Sequence, residues 1–147
     1  MVSRVISLAV VFMLSACGMP DVEVTVEENH KEKPRPVKVV VVTLFEIGED
    51  TGDRAGEFQL WKERRVFDEI LPFHGYKDLH YNSEDGLLVI VTGIGTARSA
   101  AATMAAGMDP RFDLSKAYWL TAGIAGIDPE DATVGSAAWA EYLVDGD

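Results

Sequence analysis

The chain is poor in the residues that hold disulfides, metals and polyanions. A single cysteine among 147 residues excludes an internal disulfide framework. The three histidines, His30, His74 and His80, stand at no metal-ligand spacing with that cysteine or with one another, so no metal is expected. Lys and Arg number 13 against 24 Asp and Glu, a formal charge of -11. A surface of that sign lacks the clustered cations on which affinity for DNA or RNA rests. The apolar stretch at residues 5–14 falls short of the roughly 20 residues that a membrane-spanning helix needs. A G-x-S-x-G elbow is missing, and no Ser-His-Asp set can be assembled. The acidic stretch 46–56 contains no D-x-[DN]-x-[DN]-G calcium loop.

What remains is a globular composition, 48% hydrophobic and 25% charged, long enough for one domain with its own core. Arg4 followed by the short apolar stretch has the anatomy of a secretory signal peptide. Leu14-Ser15-Ala16-Cys17, followed by Gly18, resembles a bacterial lipoprotein cleavage site. That resemblance implies removal of residues 1–16, lipidation of Cys17, and an exported domain held at a bacterial membrane, on the periplasmic side. A buried or incidental cysteine is the alternative. Residues 17–36 are acidic and then carry Lys31, Lys33, Pro34, Arg35 and Pro36. With no apolar periodicity they read as a flexible tether, although the alternation of Val22, Val24 and Val26 leaves a short strand open.

The folded part is expected over residues 37–147. Residues 37–45 form a β-branched run with little alternation, as in a strand buried on both faces. A glycine-rich acidic loop follows at 46–56. The spacing of Phe58, Trp61, Phe67, Ile70 and Leu71 predicts an amphipathic helix over 57–71, stopped by Pro72. Residues 75–82 and 87–92 read as two strands of a hairpin joined by a tight turn. Residues 96–107 (TARSAAATMAAG) have the composition of a helix with a thin coat of side chains, able to lie close to a sheet, with Gly107 as its cap. Residues 117–122 form another buried strand, joined to 87–92 by a crossover of the length that makes neighbouring strands parallel. A further strand is expected to begin within 134–144. The fold class is α/β, a central mixed, largely parallel sheet flanked by helices. Two helices leave its faces incompletely covered, so residues 37–147 are expected to be the N-terminal part of a longer domain.

Ligands of open α/β sheets bind at the carboxyl ends of strands, where both glycine turns lie. Gly93-Ile94-Gly95 permits close approach of a ligand, and the N–H groups of Thr96, Ala97 and Arg98 open the following helix toward an anion or a sugar hydroxyl. Arg98 stands where the G-x-G-x-x-G dinucleotide fingerprint needs glycine. Gly123-Ile124-Ala125-Gly126 offers the same choice between a ligand and tight packing. Thr92, Thr96, Ser99 and Thr121 supply hydroxyls that are equally able to bond the main chain. Glu46, just past the first strand, is the carboxylate best placed for a site, with a solvated loop residue as the other reading.

The residues 37–46, Thr92-Gly93-Ile94-Gly95 with the alanines and threonine after it, and above all 109–127, Asp128-Pro129 and 132–136 resemble the purine nucleoside permease family. The likeness runs through about residues 37–147 and is densest in its last third. It implies a nucleoside phosphorylase-like fold, in which Gly93 and Gly95 border a ribose or phosphate pocket and Thr121, Gly123 and Gly126 form its floor. Arg98 is the cation available for phosphate on that analogy. Three functions follow: nucleoside binding in transport by a membrane-tethered soluble domain, phosphorylase-like cleavage of the N-glycosidic bond, or a structural lipoprotein without a working site. Purine nucleosides are the implied ligands and phosphate a possible co-substrate. No other cofactor is implied, no catalytic residue is named, and a homo-oligomer is left open.

Overall fold

The computed structural model describes residues 32–144. The expected signal peptide, Cys17 and the tether up to residue 31 lie outside the described residues. Nine elements follow in order: β1 (Arg35–Pro36), β2 (Val39–Thr43), α1 (Gln59–Arg64), β3 (Glu69–Leu71), β4 (Leu79–Asn82), β5 (Leu87–Val91), α2 (Thr96–Gly107), β6 (Phe112–Asp113) and β7 (Tyr118–Thr121).

The main sheet has the order β3-β4-β5-β2-β7. β2 lies at its heart because Val40, Val41 and Val42 have side chains to bury on both faces, and each is less than a tenth exposed. Full burial of such side chains contributes roughly 1.5–3 kcal/mol apiece. β5 and β7 flank β2 in parallel, with Val41 opposite Val89 on one side and Leu120 on the other. β3, β4 and β5 form an antiparallel meander, in which the 87–92 and 75–82 regions pair as the expected hairpin over Leu79–Asn82. The sheet is thus mixed, and its faces carry separate cores. Val40, Val42, Leu88 and Ile90 pack with Tyr81, Phe112 and Ala106 of α2; Val41, Val89 and Val91 pack with Phe58 and with Trp61 of α1.

Five expectations are corrected. The helix expected over 57–71 is a short α1, because Arg65 turns extended and residues 69–71 join β4 instead. Ile70 and Leu71 are spaced for either structure, and the antiparallel ladder offers them backbone partners; Pro72 ends a strand, not a helix. The crossover through α2 does join parallel strands, but β5 and β7 are not neighbours, since β2 lies between them, and β7, expected to be buried, is an edge strand with Tyr118, Trp119 and Thr121 exposed. No strand forms within 134–144. Val134 is fully exposed there, and a strand without a neighbour leaves its N–H and C=O groups unpaired by the sheet. Finally, Arg35 and Pro36, read as tether, belong to the fold: they pair with β6, and the Tyr81 hydroxyl donates to the Pro36 carbonyl at 2.8 Å.

Candidate functional site

The parallel strands β2, β5 and β7 all point their carboxyl ends to one edge of the sheet, which is why both glycine turns lie at that edge. At the end of β5, Gly93 has φ +89° and Gly95 φ +100°, conformations open to glycine and costly for a side chain. Gly95 is the N-cap of α2, and its carbonyl accepts the Ser99 N–H at 2.9 Å. The Ser99 hydroxyl donates to the Gly93 carbonyl at 2.9 Å and lies 3.1 Å from the Thr92 hydroxyl. These bonds seat the first turn of α2 on the end of β5.

Between α2 and the strand ends lies a cavity of about 480 Å³, open to solvent. Val42, Leu44 and Met104 supply apolar wall; Thr92, Thr96, Ser99, Thr103 and Thr121 supply hydroxyls; Ala100 completes the lining. No charged side chain is among these residues. Thr96, Ser99, Ala100 and Thr103 stand one helical turn apart along one face of α2, so a single element presents most of the wall.

Of the site residues expected from sequence, Thr96 and Thr121 line this cavity together. Gly93 and Gly95 shape the turn at its rim. Arg98 does not line it: its exposed side chain lies across Gly93, in the space a Cβ there would need. Gly123 and Gly126 border a second, open hollow with Leu120, Ala132 and Trp139, and Thr121 belongs to both.

Glu46 is used differently from the expectation. Its carboxylate accepts N–H groups from Ile47 at 2.8 Å, Phe58 at 3.0 Å, and Gly56 and Gln59. It therefore closes the acidic loop onto the start of α1. Partial burial pushes the carboxyl upward, but the four backbone donors outweigh that and hold it below its ordinary pKa. Two other acidic groups of the loop are occupied too: Asp50 meets Lys62 at 3.2 Å and also Lys77, and Asp53 accepts the Glu49 N–H at 2.9 Å.

Two participants escaped the sequence reading. Thr103 carried a signal, its spacing from Thr96 and Ser99 on one helical face. Glu57 carried none, because the N–H groups its carboxylate accepts, from Leu44 at 2.7 Å and Ile124 at 2.9 Å, lie 13 and 67 residues away.

Comparison with known proteins supplies the family. Residues 36–147 match the family described as purine nucleoside permease (NUP). A probable purine nucleoside permease of Schizosaccharomyces pombe is 38% identical over 70 residues, 48% of this chain and 20% of that protein. A purine nucleoside permease of Candida albicans is 30% identical over 129 residues, 82% of this chain and 30% of that protein. The chain thus spans less than a third of the length of either relative. No solved structure matches it. The family match runs through all three parallel strands and both glycine turns, and the chain belongs to the purine nucleoside permease family.

Proposed function

We propose that this protein binds purine nucleosides at the strand-end cavity and serves their passage across a membrane. The supporting observation is the wall itself, mostly apolar, with the hydroxyls of Thr96, Thr103 and Thr121 among its lining and no charged side chain. A nucleoside is neutral, with sugar hydroxyls to exchange hydrogen bonds and an apolar base face for Val42, Leu44 and Met104. An anionic nucleotide would leave its phosphate charge uncompensated on such a wall. The relatives' names point to the same substrate class. Calorimetry with adenosine and guanosine tests the reading: binding is expected, and Thr121→Val or Thr96→Val should weaken it about tenfold, the worth of one hydrogen bond. No heat with either nucleoside, on folded protein, sinks it.

The same reading extends the sheet to a phosphorylase-like domain and holds it at the membrane. Among the described residues no helix is long and apolar enough to cross a membrane. The proposed anchor is a lipid on Cys17, followed by the 17–34 tether, with the domain exported. Cys17→Ala should then move the protein from the membrane to the supernatant fraction, and unchanged retention argues against lipidation. Phosphorolysis is the second reading, favoured by one observation: Arg98, a cation in the first turn of α2, lies over the Gly93 turn. Release of free base that depends on added phosphate distinguishes it from binding for transport.

A further inference from the structure

β2 and β7 are paired up to the bond from the Ala122 N–H to the Val42 carbonyl, at 2.8 Å. Beyond that rung, a parallel ladder would continue through the N–H groups of Leu44 and Ile124. Both instead turn to Glu57, one to each carboxylate oxygen. A side chain from the segment before α1 therefore stands where the next rung would form, and the two strand ends leave each other around it. Gly123 brings the turn against this carboxylate: a Cβ there would find Glu57 Oε1 as its nearest neighbour, at 3.4 Å. The residues beside the interrupted rung are Leu44 and Thr121, both in the cavity wall.

We infer that Glu57 is a positioning residue for the cavity, holding the ends of β2 and β7 apart and fixing the 123–126 turn. The inference rests on the nucleoside reading for its ligand, but the latch itself does not. Glu57 lines no part of the cavity, so it acts through Leu44, Thr121 and the turn and not by touching the nucleoside. A carboxylate suits the task because its two oxygens accept N–H groups from different strands at once.

The test compares the whole protein with Glu57→Ala and Glu57→Gln by residue-resolved amide exchange and by calorimetry with adenosine. In Glu57→Ala the Ile124 amide should exchange faster and lose its downfield shift, while Val40, Val41 and Val42 stay protected. Adenosine affinity should fall about tenfold. Glu57→Gln keeps one acceptor and turns a donor toward the other N–H, so it should fall between; it also serves if the alanine variant does not fold. Unchanged Ile124 exchange in both variants overturns the latch. Faster exchange with unchanged adenosine affinity overturns the positioning role. Should the unaltered protein give no heat with adenosine, the nucleoside reading and the positioning role fall together, while the exchange data still decide the latch.

Discussion

His80 shows how one side chain can be central to the packing of this fold without serving the cavity. It sits in β4 with its ring 4.8 Å from that of Phe58 and 5.4 Å from that of Phe67. Nδ1 lies 3.1 Å from the Asp78 carbonyl, so the neutral tautomer that donates there leaves Nε2 as a buried acceptor, and Nε2 has no partner among the described residues. The charged groups facing it are Lys62 from α1 and Lys77 and Asp78 from the segment before β4. Burial lowers its pKa most, and the two lysines push the same way against the bond and charge of Asp78. A folded pKa below the unfolded value of 6.5 means that this contribution to stability is complete above 6.5 and is lost as pH falls through the folded pKa. Urea midpoints should therefore drop as pH falls below 6.5, and His80→Leu should flatten that part of the profile; equal slopes in both proteins would falsify the assignment. Glu46 gives a second expectation at this scale. Removing its charge in Glu46→Gln should cost about 1–3 kcal/mol in denaturant unfolding, because four backbone N–H groups lose an ionised acceptor. Its lowered pKa places this contribution above 4.5, with loss as pH falls through the folded value.

The two principal helices differ in how legible they were. α2 appears over the residues its composition suggests, because alanine favours helix without help from neighbours, but Gly107, expected as its cap, is its last helical residue and Met108 caps it. Its thin coat has the expected use: Ala102 and Ala106 are buried against the sheet, while Ala101 and Ala105 face solvent. Ala102→Leu should overfill that contact and cost about 1–3 kcal/mol, whereas Ala101→Leu should be close to neutral by the same thermal-melt comparison. α1 is shorter than its sequence suggests, because Phe67, Ile70 and Leu71 also satisfy a helical spacing. Their outcome was decided by β4, which supplies Leu71 and Ile70 with register partners Leu79 and His80. The Asn82 side chain reinforces this by donating to the Val66 carbonyl at 2.8 Å, and Asp68 accepts the Ser83 N–H at 2.8 Å.

At the scale of the whole molecule, the order β3-β4-β5-β2-β7 puts the first long strand between the two that carry glycine turns. That single choice assembles the cavity, since Val42 and Leu44 come from β2 and its end, Thr92 from the end of β5 and Thr121 from β7. The formal charge of -11 acts at the same scale. Self-repulsion opposes compaction, and salt screens it over about 10 Å at 0.1 M ionic strength. Melting temperature should accordingly rise when sodium chloride is added at neutral pH. A fall across that titration would mean that ion pairs such as Arg35–Glu69, at 2.7 Å, outweigh the net repulsion.

Local chemistry alone determined the β-branched strand cores, the alanine helix, the glycine turns at two strand ends and the family likeness. Each depends on residues close together in the chain, where propensity and backbone freedom suffice. Tertiary structure decided which strand stands beside which, that Glu46 clasps a loop, that Arg98 lies across Gly93 outside the cavity wall, and that Glu57 joins Leu44 to Ile124. Those outcomes are set by partners far apart in sequence, and a carboxylate's role follows from which N–H groups reach it, which only the folded chain determines.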